Sequence, residues 1–212
     1  MSLATWWYQD ARPELPPILG LEVRPLEDGH LLSVLAGLTP DEVARRHAGG
    51  HRAYVGFLTG VPVAYGWVAT RRASIGELDL EFGLPAGSRY LWDFATLPAF
   101  RGLGVYPHML NAIAERESPP ATRLWIIHAP ENLPSGLGIT RAGFEVVADL
   151  SFDADGHPAL SVAGNPDRAA VGAAVLGLPL TARELAPCWR CASLACEQDA
   201  NGACACAQQP SR

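Results

Sequence analysis

The sequence predicts a mixed α/β domain of the α+β kind, and three observations carry that class. β-rich runs bounded by Gly and Pro recur between residues 21 and 97. The apolar period then changes from strand-like to helical after Pro98, with Met109, Leu110, Ile113 and Ala114 on one helical face. Next, Leu124-Trp125-Ile126-Ile127 is a continuous apolar run of the sort a strand buried on both faces requires.

Residue by residue, Leu21–Leu26 alternates and reads as a first strand ending near Pro25. Asp28 can cap a helix to about Leu38, and Thr39-Pro40-Asp41-Glu42 starts another, stopped by Gly49-Gly50. Ala53–Leu58 and Val63–Ala69 form a hairpin through Thr59-Gly60-Val61-Pro62. Glu77–Phe82 alternates as a further strand or an extended excursion, and Tyr90–Leu97 is a strand stopped by Pro98. Helices over Tyr106–Glu117 and Asn132–Ala142 flank the buried run, the second ending at Gly143. Glu145–Phe152 and Ala159–Val162 close the sheet as a hairpin around Asp155-Gly156. The expected organisation is an irregular lead-in over 1–20, a domain over 21–165, a linker or helix over 166–187 and a cysteine-rich tail over 188–212.

Composition narrows the function classes. The chain has 212 residues, 49% apolar and 18% charged, which suits one buried core with appendages. A net charge of −6, with no lysine anywhere, disfavours a nucleic-acid face and admits a cationic substrate. No stretch approaches the ~20 apolar residues of a membrane helix. Ala169–Leu180 is too short and contains Pro179, and the N-terminus lacks a signal pattern, so the expectation is a cytoplasmic protein with no membrane partner.

The stretch Thr96–Pro107 lies between a strand and a helix. There, helix-start N–H groups lack intrahelical acceptors and the dipole favours negative charge, the arrangement that binds phosphate. Gly102 and Gly104 allow close backbone approach, and Arg101 adds a cation. Two glycines can equally make a plain tight turn. A Rossmann loop fits worse, with Pro at 107, and a Walker lysine is absent.

Arg101-Gly102-Leu103-Gly104-Val105-Tyr106, with Pro98 three residues upstream, resembles the cofactor motif of the GCN5-related N-acetyltransferase superfamily, Arg/Gln-x-x-Gly-x-Gly/Ala. Tyr106 departs from the small residue expected in the last position. A second match is Asn132 followed by Gly143-Phe144; the element order also fits, and the resemblance covers roughly residues 21–152. The resemblance implies a mostly antiparallel twisted sheet whose central strands, Leu91–Thr96 and Leu124–His128, splay apart around an acyl-CoA arm. It implies direct acyl transfer, from acetyl-CoA or another acyl-CoA, to a small-molecule or peptide amine. Backbone groups of Phe94, Ala95 and Thr96 would meet the pantetheine. Arg101, Gly102, Leu103, Gly104, Val105 and Tyr106 would hold the pyrophosphate, with Asn132 also on the cofactor side.

The family's customary proton handlers are absent. Ile139 stands where a tyrosine acid is common and Ile127 where a carboxylate base occurs. Candidates to replace them are Asp93, His128 and Tyr106, with Glu77 and Glu81 reading as a solvated strand face. The other openings are a water relay and a non-catalytic acyl-CoA-binding sensor or scaffold.

All five cysteines, Cys188, Cys191, Cys196, Cys204 and Cys206, fall in the tail. Four of them could converge on zinc; an iron–sulfur cluster and a tail of reduced thiols are the alternatives. The apolar side chains of 169–185 suit packing on the domain or on a second subunit, which leaves a homodimer open.

Overall fold

The architecture comes from a computed structural model that describes residues 1–189. Residues 190–212, with Cys191, Cys196, Cys204 and Cys206, lie outside the described residues.

An eight-stranded sheet has the order β10-β9-β1-β8-β7-β4-β3-β2, and every pairing in it is antiparallel except β7 with β8. Its strands are β1 (Ser2–Trp7), β2 (Leu21–Leu26), β3 (His51–Leu58), β4 (Val61–Ala69), β7 (Ser88–Thr96), β8 (Arg123–His128), β9 (Glu145–Phe152) and β10 (Pro158–Val162). A separate hairpin joins β5 (Arg72–Ile75) to β6 (Leu80–Gly83). Residues 2–7, expected to be irregular, instead form an interior strand between β8 and β9. Four of its six side chains are buried in succession, so no alternation marks it, and the Thr5 hydroxyl is satisfied by Leu124 O at 2.8 Å.

The helices begin where local chemistry starts them. Asp28 accepts from the amides of His30 and Leu31 at the head of α1 (Gly29–Ala36), and Thr39 accepts from Glu42 N at the head of α2 (Pro40–Ala48). The Glu42 carboxylate goes to Arg45 and Arg46 instead of returning to the cap. The stretch 77–82, expected as a further strand or an extended excursion, is interrupted: Glu77 sits in the 3-10 turn Gly76–Leu78, and Asp79 takes a left-handed φ of 49°.

One face of the sheet is covered by α3 (Val105–Glu117) and α4 (Leu133–Arg141), which bury Met109, Leu110, Ile113 and Ile139 against Val68, Leu91, Leu124 and Ile126. The other face carries two patches. α1 and α2 cover Val55, Phe57 and Trp67. α5 (Pro166–Leu176) covers Leu3, Trp125 and Leu150. Trp125 thus faces away from its neighbours Leu124 and Ile126, which explains the unbroken apolar run. α5 packs on its own chain. The segment after it lies along β10, with Thr181 N donating to Leu160 O, and Ala186 N donates to Phe152 O in β9, so that edge is covered.

Candidate active site

β7 and β8 pair only from Ser88↔Arg123 to Leu91↔Ile126. Beyond that point β7 stays with β4 as far as Ala64↔Thr96, while β8 runs on to His128, and a gap opens between them. Within that stretch two residues of β7, Asp93 and Phe94, oppose the single Gly66 of β4. Asp93 has a φ of 50°, so the chain bulges here. Leu97 N donates to Val63 O in β4. Strand alternation therefore turns the Thr96 amide away from β4 and toward the gap, while Ala95, paired with Tyr65, turns its own toward β4.

Four residues hold the bulge in shape. A Cβ on Gly66 would lie 2.1 Å from the Phe94 ring, so only glycine leaves room for Phe94 to lie on β4. Phe94 meets Tyr106 at 5.6 Å between ring centroids. Tyr106 in turn lies against Gly138 of α4, where a Cβ would come within 2.4 Å of its ring. The bulky residue at 106 is thus accommodated by a missing side chain on the neighbouring helix. Gly66→Ala should push Phe94 off its seat and lower the melting temperature by several degrees. Thermal denaturation would check this, and an unchanged midpoint would show that the ring can move freely.

The strand leads through a 3-10 turn, Pro98–Phe100, into the loop. Gly102 and Gly104 both have positive φ, 79° and 80°. Gly104 is the N-cap of α3 and offers no side-chain cap. Among the described residues the amides of Gly102, Leu103 and Gly104 have no backbone acceptor, and those of Val105 and Tyr106 are first-turn donors of the helix. Pro107 has no N–H to offer. Arg101 is exposed, and its Nε donates to Thr96 O at 3.1 Å, bracing the loop against the strand that feeds it. A row of unengaged donors at a helix N-terminus, with glycines open to a close neighbour, fits a diphosphate.

On the opposite face, between the α1–α2 patch and α5, lies a cavity of about 650 Å³. It takes Trp92 and Asp93 from β7, Ile127 and His128 from β8, Arg46 from α2 and Glu77 from the 3-10 turn. The bulge and the splay thus bring together Asp93, His128 and Glu77, which are far apart in sequence. Glu81 instead pairs with Arg72 on the exposed hairpin.

Electrostatics separate the candidates. Asp93 is salt-bridged to Arg46, which also holds Glu42 and lies over the Trp92 and Trp67 rings at 4.4 and 5.0 Å. The Trp92 indole donates to His51 Nδ1 at 3.0 Å, and burial, with Arg46 and Arg71 adding to it, pushes His51 down and keeps it an acceptor. His128 Nδ1 donates to Ala129 O at 3.1 Å, which leaves Nε2 as the basic nitrogen. Its ring lies against Gly136 of α4, where a Cβ would be 3.0 Å away. Burial pushes the Tyr106 phenol up to about 12, with the Ser135 hydroxyl acting against the shift, so it is protonated at neutral pH. Asn132 is exposed and its Oδ1 caps α4 by accepting from Ser135 N. Ile139 is fully buried in the core and Ile127 half-buried at the cavity. Sequence reasoning missed Arg46, because the spacing of 47 residues between it and Asp93 gives no local signal.

Among the described residues no three His, Cys, Asp or Glu side chains cluster as metal ligands, and Cys188 is half-buried. Among them, too, no helix is long and apolar enough to cross a membrane.

No family model matches the chain, and no curated protein does. Solved structures do resemble it. A GCN5-related N-acetyltransferase from Kribbella flavida is 19% identical with a TM-score of 0.46, over 68% of this chain and 53% of its own length. An aminoglycoside N-acetyltransferase in complex with CoA is 18% identical with a TM-score of 0.47, over 66% of this chain and 97% of its own. Glucosamine-6-phosphate N-acetyltransferase from Arabidopsis thaliana is 16% identical with a TM-score of 0.41, over 59% of this chain and 91% of its own. This chain therefore spans about half the length of the first and nine-tenths or more of the other two. All three are distant, and the chain's own residues carry the functional reading.

Proposed function

We propose that this chain is an acyl-CoA-dependent N-acyltransferase of the GCN5-related kind, passing an acetyl group from acetyl-CoA directly to a small amine. One observation carries the reading. β7 parts from β8 at Leu91 and continues to Thr96, into a turn where the amides of Gly102, Leu103 and Gly104 have no backbone acceptor among the described residues. An arm threaded through that gap would have its diphosphate at the amides of Gly102–Tyr106 and its thioester beside the cavity on the far face.

The roles then follow from position. The loop amides and the α3 dipole neutralise the diphosphate. The Thr96 amide, turned into the gap, is free to receive a pantetheine carbonyl, and Phe94 and Tyr106 wall the channel. His128 Nε2 accepts a proton from the acceptor ammonium. The freed nitrogen attacks the thioester carbonyl carbon, a C–N bond forms and the C–S bond breaks. The departing thiolate is reprotonated by water or by the Tyr106 phenol, and the amide nitrogen releases its second proton to solvent. Asp93 is neutralised by Arg46 and acts as a positioning residue for the bulge.

On this account His128→Ala lowers kcat at least about a hundredfold and leaves acetyl-CoA affinity unchanged. Steady-state kinetics with calorimetric titration of the cofactor checks both halves. Unchanged kcat would remove His128 from the reaction and leave the proton to water.

A non-catalytic acyl-CoA sensor is the second reading, favoured by isoleucine at both 127 and 139. Tight acyl-CoA binding with no acylated product across a broad amine panel would select it.

A further inference from the structure

The acceptor cavity has a composition that selects among amines. Its apolar wall is Ala36, Leu38, Ile75, Tyr90, Trp92 and Ile127. Besides Tyr90, its ionisable side chains are Arg46, Glu77, Asp93 and His128, and Met1, whose ammonium donates to Leu150 O, also lines it. Arg46 is already held by Asp93 and Glu42 and lies over two indoles, so it is not available to a substrate carboxylate. Asp93 is likewise spent on Arg46. Among the described residues Glu77 has no cationic partner, so the lining carries one carboxylate left to meet a substrate cation. His128 is reserved for the proton.

We infer that the acceptor is a primary monoamine with an apolar body of roughly aromatic size and no carboxylate, and that Glu77 is the residue that selects for its single positive charge. This rests on the transferase reading. A polycationic aminosugar would bring several ammonium groups to a lining that, among the described residues, offers one carboxylate without a cationic partner, so most of its charges would go unmatched. An amino acid would bring a carboxylate to a site whose Arg46 is taken. A monoamine with an aryl or branched alkyl body satisfies both constraints: its cation meets Glu77 and its body meets Ile75, Trp92 and Ile127. The cavity volume of about 650 Å³ accommodates a molecule of that size.

The test compares 2-phenylethylamine, phenylalanine and kanamycin as acceptors, with acetyl-CoA as donor. 2-Phenylethylamine should exceed both others by at least about tenfold in kcat/KM. Glu77→Gln should lower its kcat/KM about tenfold, with acetyl-CoA affinity unchanged, while Glu81→Gln changes nothing. Glu77 is exposed in a turn, so folding is not at stake in that variant. Preference for kanamycin or phenylalanine, or a Glu77→Gln enzyme indistinguishable from the parent, would overturn the inference. Loss of the transferase reading looks different, because acetyl-CoA then fails to bind at all. In that event calorimetric titration of 2-phenylethylamine into the chain decides the cavity's preference: weaker binding to Glu77→Gln supports the inference, and equal or no binding refutes it.

Discussion

Replacing Gly104 by glutamate is expected to weaken coenzyme A binding by at least about a hundredfold while leaving the fold in place. Gly104 is the N-cap of α3 at a φ of 80°, and the nearest atoms to a Cβ there, on His108 and Ile18, are 3.9 Å away. A side chain therefore has room, but the left-handed backbone costs about 1 kcal/mol for any residue other than glycine. Gly104→Ala has the same strain without the charge, so the difference between the two variants isolates the effect of an anion on the diphosphate seat. Calorimetry with coenzyme A reads both. If Gly104→Glu bound as tightly as Gly104→Ala, the turn would not be where the diphosphate sits.

The largest effect on stability is expected at the other end of α3. Glu117 has a fully buried side chain that accepts from Arg52, from Arg89 at 2.9 Å and from the Tyr54 hydroxyl at 2.8 Å. Arg89 is itself only 11% exposed, so removing the carboxylate leaves a largely buried guanidinium and a buried phenol without their partner. Burial, then the Glu117 charge and hydrogen bond beside it, hold the Tyr54 phenol well above its ordinary value in the intact cluster. Glu117→Ala should cost about 3–5 kcal/mol of unfolding free energy, measured by denaturant titration. A loss below about 1 kcal/mol would mean that water or a neighbouring group replaces the carboxylate. Because Arg89 lies in β7 and Arg52 in β3, this cluster ties the helix to both sides of β4 and fixes the strand that leads to the site.

The legibility of this chain followed how local each cause is. The caps at Asp28 and Thr39 act over three residues, and each could be read from neighbouring letters. The Gly102 and Gly104 turn was legible for the same reason, since its backbone angles are a property of glycine itself. β1 was not. Its residues alternate in neither size nor polarity, and only pairing on both sides makes them a strand. The two-stranded hairpin was half-hidden because Asp79 breaks the alternation that Glu77–Phe82 displays on paper. The cavity was invisible for a deeper reason. Asp93 turns left-handed, Glu77 sits in a turn and Arg46 arrives from α2, three separate tertiary facts that no spacing encodes. Glu77 and Glu81 look alike in sequence, yet one lines the cavity and the other pairs with Arg72. The structure also explains the one departure in the loop motif: Tyr106 is tolerated because Gly138 leaves space for its ring on α4.

The central proposition is that the gap beyond Leu91 and the donors from Gly102 to Tyr106 form one continuous seat for an acyl-CoA arm. Amide chemical shifts of an isotope-labelled chain, followed as coenzyme A is added, test it most directly. The account predicts saturable shifts of the Thr96, Gly102, Leu103, Gly104 and Val105 amides, with β2 and α5 undisturbed. Saturable shifts elsewhere with those five amides unmoved, or no shifts at millimolar coenzyme A, would contradict it.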